Sequence, residues 1–72
     1  MPIIEVTMME GRSPEAKEGL IVALTDAAES SIGAPRQSIR VILREVPPAH
    51  FGVAGISFAA KQAAADRENG DT

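Results

Sequence analysis

At 72 residues the chain is long enough for one domain only. A chain this short buries about 60 % of its unfolded surface, so it needs a staple, and the absence of Cys removes disulfides and thiolate metal sites. The formal net charge of −3 argues against a nucleic-acid partner, and His50, the single histidine, leaves little from which to build a metal site. Partner subunits remain as the staple.

No run is long and apolar enough to span a membrane. No basic-then-apolar leader opens the chain, so a cytoplasmic location is expected. Residues 2–9 read as a strand, because Ile4, Val6 and Met8 alternate with Ile3, Glu5 and Thr7. Glu10-Gly11-Arg12-Ser13 is a turn. Ser13 suits a helix N-cap and Pro14 the first helical position, so a helix is predicted over 14–32. Leu20, Leu24, Ala27, Ala28 and Ile32 give it an apolar stripe, which Ile21 and Val22 broaden toward a second neighbour. Gly19 inside this helix costs about 1 kcal/mol relative to Ala. Gly33 fits the position just past the helix end, and Pro35 blocks continuation.

A second strand is predicted over 38–46, with Ile39, Val41 and Leu43 on one face and Arg40, Ile42 and Arg44 on the other. Pro47-Pro48 ends it, and residues 50–56 read as a Gly-bounded hairpin or loop. The Ala-rich stretch 58–65 suits a short helix, and 66–72 is a polar, flexible tail. The domain thus covers 1–60, with 61–72 as tail.

Strand, helix, strand in this order predicts an α/β fold: one β-α-β unit with two parallel strands, one long helix and a short C-terminal hairpin. Parallel sheets are covered on both faces, and two strands are too few to stand alone in water. One helix covers one face. The other must meet another copy of the chain, so the unit is expected to assemble into an oligomer.

Four residues carry candidate chemistry. Once Met1 is removed, the ring nitrogen of Pro2 is a secondary amine, which can act as a base; as an amide it cannot. Set against this, Pro is also an ordinary first residue of a strand. Arg12 and Arg40 are candidate carboxylate binders, and Phe51 is an aromatic wall that excludes water. A strand arginine such as Arg40 needs a partner, and Glu5 or Glu45 would supply a structural one. Arg12 could decorate a turn, Phe51 could be core, and Arg36 and Arg44 could be interface charges.

Pro2-Ile3, Glu10-Gly11-Arg12-Ser13, Ala34-Pro35, Ser38-Ile39-Arg40-Val41-Ile42, and Glu45 through His50-Phe51-Gly52 together resemble the 4-oxalocrotonate tautomerase (2-hydroxymuconate tautomerase) family. The resemblance covers residues 2–56 without a gap; Gly19 and Ala54 depart from the common pattern. It implies a homo-oligomer, expected to be a hexamer, with sites between subunits. It implies an enol-keto tautomerase acting on 2-hydroxydienoates such as 2-hydroxymuconate, small carboxylates met in aromatic hydrocarbon catabolism. Pro2 would be the general base. Arg12 would bind the remote carboxylate, Arg40 from a neighbouring subunit the reacting end, and Phe51 would line the pocket. No cofactor and no metal is expected. An apolar pocket and nearby guanidinium groups would lower the pKa of the Pro2 amine below that of an ordinary proline amine.

Two rivals stand beside this reading. A haloacrylate dehalogenase of the same superfamily would need an added carboxylate near the aromatic, where this chain has Gly52 and Val53. A non-catalytic subunit of a mixed oligomer would not need Pro2, Arg12, Arg40 and Phe51 together.

Overall fold

The alternating strand and the capped helix form where the sequence pattern puts them. The computed structural model describes residues 1–70, with side chains through Arg67. Strand β1 spans Ile3–Met9, helix α1 Pro14–Ile32, and strand β2 Arg40–Val46. A two-residue strand β3 (Gly52–Val53), a second one β4 (Ile56–Ser57) and helix α2 (Phe58–Gly70) complete the order.

Helix α1 starts and stops on its caps. The Ser13 hydroxyl accepts a hydrogen bond from the Ala16 N–H at 3.1 Å. Pro14 opens the first turn, and Gly33 closes the helix in the left-handed region at φ 69°, its N–H donating to the Glu29 carbonyl. Between α1 and β2, a single 3₁₀ turn at Arg36–Ser38 takes up the start of the expected second strand. The cause is local: the Ser38 N–H and hydroxyl both donate to the Pro35 carbonyl, and the Ile39 N–H to that of Arg36. A second 3₁₀ turn, Pro48–His50, precedes the hairpin.

β1 and β2 pair in parallel, with Ile3 opposite Arg40 and Met9 opposite Val46. The ladder continues past both ends, from the Arg40 N–H to the Pro2 carbonyl and from the Glu10 N–H to the Val46 carbonyl, each 3.0 Å. Ile4, Val6, Met8, Val41 and Leu43 are half-buried on the helix side. They meet the half-buried stripe of α1, which is Lys17, Leu20, Ile21, Leu24, Thr25 and Ala28. Ala27 and Ile32, expected on this stripe, are exposed, and Ile21 belongs to it. Lys17 pins the helix to β2 through a 2.9 Å ion pair with Glu45.

The opposite sheet face carries Ile3, Glu5, Thr7, Arg40, Ile42 and Arg44, all exposed. Among the described residues none is buried. The Cα radius of gyration is 17.0 Å, against about 11 Å for a compact domain of this length, and the chain extends 54 × 25 × 17 Å. With none of its described residues buried and a bare parallel sheet face, the chain has not completed its core by itself.

β3 and β4 form an antiparallel hairpin around Ala54-Gly55, both with positive φ, 54° and 80°. This is the geometry of the tight primed turn that matches strand twist. The Ala-rich helix runs past Ala65 to Gly70, so it enters the segment expected as polar tail. No Gly or Pro interrupts the sequence from Phe58 until Gly70. Asp71 and Thr72, the end of that expected tail, lie outside the described residues.

Candidate active site

The candidate residues sit at two opposite ends of the β1–β2 sheet. Pro2 and Arg40 share the end where both strands begin: the Pro2 carbonyl accepts the Arg40 N–H at 3.0 Å. The Arg40 side chain lies on the bare sheet face, and its guanidinium donates to the carbonyls of Ser38 at 2.9 Å and Gln37 at 3.3 Å. Arg12 and Phe51 belong to the end where the strands finish. The Arg12 guanidinium donates to the Met9 carbonyl at 3.3 Å. The side chains of Met9 and Phe51 line one open groove of about 500 Å³ together with Val53, Ile56, Phe58 and Lys61.

Seven residues of β1 separate these ends, which at strand rise is about 20 Å. One chain therefore brings Pro2 to Arg40 and Arg12 to Phe51, and does not bring the two pairs to each other. Met1 is present, so the Pro2 nitrogen is here a planar amide. Met1 is also 77 % exposed.

The cations fall into two groups. Arg44 pairs with Glu5 at 3.1 Å and Lys17 with Glu45 at 2.9 Å. Arg36 reaches Asp26 at 2.6 Å and Glu29 at 3.1 Å, tying the 3₁₀ turn back to α1; the hydrogen bond that its guanidinium donates to the Asp26 carboxylate raises its pKa. Among the described residues these three cations make the four internal ion pairs, so Arg36 and Arg44 have partners without an interface. They also take up Glu5 and Glu45, the two carboxylates that could have neutralised Arg40. Among the described residues Arg12, Arg40 and Lys61 have no carboxylate partner.

Lys61 is the residue that sequence reasoning missed. It was placed at the start of a tail, whereas α2 carries it into the groove wall beside Phe51. The available signal was its place one turn after Phe58 on an Ala-rich helix. The groove itself depends on the hairpin folding back, which no local pattern specifies. No group of three or more potential metal ligands occurs among the described residues. No described helix is long and apolar enough to cross a membrane.

A family model described as Tautomerase enzyme matches residues 2–61. A probable tautomerase of Ralstonia nicotianae is 61 % identical over 56 residues, covering 78 % of this chain and 80 % of that protein. The 2-hydroxymuconate tautomerase of Stutzerimonas stutzeri is 47 % identical over 57 residues, covering 79 % and 90 %. Among solved structures, a heterohexamer 4-oxalocrotonate tautomerase of Chloroflexus aurantiacus superposes with a TM-score of 0.79 at 46 % identity, covering 82 % of this chain and 95 % of that one.

Proposed function

Because the chain belongs to the Tautomerase family, and is a tautomerase, an isomerase by class, we propose that it ketonises 2-hydroxydienoates such as 2-hydroxymuconate, with trimmed Pro2 as the general base and no cofactor. The observation that carries this reading is the tether on Pro2. Its carbonyl is held by the Arg40 N–H, so removing the exposed Met1 would free the ring nitrogen while the ring stays at the edge of the sheet. The family match also begins at residue 2.

In this mechanism the Pro2 amine takes the proton from the enol oxygen and returns it to carbon, leaving the conjugated ketone. Negative charge builds on the oxygen during the transfer. Arg40, on the bare sheet face, reaches a copy seated on that face and holds the reacting carboxylate and oxygen there. Arg12 holds the remote carboxylate, and Phe51 and its apolar neighbours keep water out, which strengthens both contacts. A short dienoate cannot bridge the two ends of one sheet, so each working site takes Pro2 from one copy and the Arg12–Phe51 end from another. A homohexamer would satisfy this geometry, and the sixfold assembly named for the Chloroflexus relative supports that number.

Two observations bear on the rivals. Among the described residues Lys61 is the one charged residue lining the groove, and none of them puts a carboxylate there to activate water, which favours tautomerisation over dehalogenation. The heterohexameric relative favours a mixed assembly as the second reading. Ultraviolet absorbance with 2-hydroxymuconate, using the trimmed chain purified alone, tests the proposal. Turnover by a pure homo-oligomer is expected. An inactive homo-oligomer that gains activity only with a second chain would move the catalytic role into a mixed assembly.

A further inference from the structure

We propose that Lys61 is a second cationic contact for the remote carboxylate, shared with Arg12, and that it makes the site selective for dicarboxylates over otherwise equal monocarboxylates. The inference rests on the reading that the Phe51 groove belongs to the active site. Its starting point is Lys61, among the described residues the single charged one in a wall of Met9, Phe51, Val53, Ile56 and Phe58.

Helix stability does not account for a lysine here. α2 begins at Phe58, so Lys61 closes its first turn, where the helix dipole disfavours a cation, and no acidic residue stands in that turn to compensate. Nor does an internal ion pair account for it: among the described residues the paired cations are Lys17, Arg36 and Arg44. The position is also fixed relative to Phe51. The Phe58 N–H donates to the Phe51 carbonyl at 2.7 Å, and the Ser57 hydroxyl accepts the Ala60 N–H at 3.1 Å, which locks the turn that carries Lys61.

Arg12 is tied to Met9 of the same wall through the methionine backbone. Its guanidinium rests on the Met9 carbonyl, and the Met9 side chain lines the groove with Lys61. One cation thus bonds Met9 and a second shares the groove that Met9 lines, both at the finishing end of the sheet. The exposed Lys61 ammonium offers a charge-assisted hydrogen bond to a carboxylate, and the apolar wall beside it accepts the hydrocarbon part of an unsaturated acid.

The test uses two unreactive six-carbon dienoic acids that differ at one end, trans,trans-muconate with a carboxylate and sorbate with a methyl group. Calorimetry measures both on the trimmed, assembled wild type and on Lys61→Gln and Lys61→Arg. The wild type is expected to bind muconate more tightly than sorbate. Lys61→Gln should weaken muconate about tenfold, as expected for one charge-assisted hydrogen bond, and sorbate less than twofold. Lys61→Arg should recover most of the muconate affinity. Unchanged muconate binding in Lys61→Gln, an equal loss for both acids, or a wild type without preference would each overturn the proposal. Turnover of 2-hydroxymuconate is read separately. A chain that binds muconate through Lys61 yet never turns over would keep this inference and remove the tautomerase mechanism.

Discussion

The two ends of the β1–β2 sheet are built differently. At the starting end, position is set by the backbone: the Pro2 carbonyl and the Arg40 N–H extend the strand ladder, so both residues are held whatever their side chains do. At the finishing end, position is set by side chains and turns, with Arg12 on a loop, Phe51 after a 3₁₀ turn and Lys61 on a helix that begins at the hairpin. A base that must meet one proton needs the first kind of support. A pocket that sorts substrates by their far end can use the second. The starting end should therefore govern the rate of the chemical step, and the finishing end the choice of substrate.

The deepest break in this division comes from the amino terminus. Chains that retain Met1 should lose most of the contribution of a general base, toward the upper end of about 10²–10⁴ in kcat/KM, at equal folding and assembly. Mass spectrometry defines the terminus of each preparation before assay. For the trimmed enzyme kcat/KM should rise with pH through the pKa of the free Pro2 amine, because the unprotonated form is the base. Pro2→Ala should retain part of the activity, since a primary amine remains.

Arg40→Ala comes next, with an expected fall of about 10²–10³ in kcat on every substrate, because it removes charge stabilisation where the oxygen gains charge. Steady-state kinetics on a dicarboxylate and a monocarboxylate check that both fall alike. Arg12→Ala should separate those substrates. About a tenfold loss is expected for the dicarboxylate and little for the monocarboxylate. Equal losses would move Arg12 out of the substrate-sorting end.

The smallest effects concern stability and should leave the division between the ends intact. A Cβ at Gly19 would meet nothing within 4 Å, so Gly19→Ala should stabilise by about 1 kcal/mol. Ala54 holds φ 54° in the hairpin turn, a region that costs a non-glycine residue about 1 kcal/mol. Ala54→Gly relieves that cost and adds some unfolded-state entropy, for a net gain of about a few tenths of a kcal/mol. Urea unfolding at one fixed protein concentration measures both variants, because assembly contributes to stability.

What the sequence made legible follows the range of the forces involved. The bounds of α1 were readable because Ser13, Pro14 and Gly33 act within one turn of themselves. The facing of Ile4, Val6, Val41 and Leu43 was readable because strand alternation is a local property. The Arg36–Ser38 turn was not, since it depends on Pro35 and Ser38 closing hydrogen bonds that compete with the strand. At the site, Pro2, Arg12, Arg40 and Phe51 stood out by residue type. Lys61 did not, because it gains meaning only when the hairpin brings α2 beside Phe51. That the pairs lie at opposite ends of one sheet follows from parallel strands over 2–9 and 38–46, and the register of Ile3 with Arg40 and Met9 with Val46 fixes it.

The central claim is that a working site joins Pro2 of one copy to the Arg12–Phe51 end of another, and subunit mixing tests it most directly. Copies locked with Met1 in place keep Arg12 and Phe51 but lack the amine. Copies carrying Arg12→Ala keep the amine but lack the remote contact. The two are unfolded together, reassembled in equal amounts and assayed on 2-hydroxymuconate, beside each preparation reassembled alone. Mixed assemblies should be more active than the average of the two separate preparations, because some sites then pair an intact Pro2 with an intact Arg12. Activity equal to that average, with mixing verified by native mass spectrometry, would mean that each chain supplies both ends of its own site and would contradict the account.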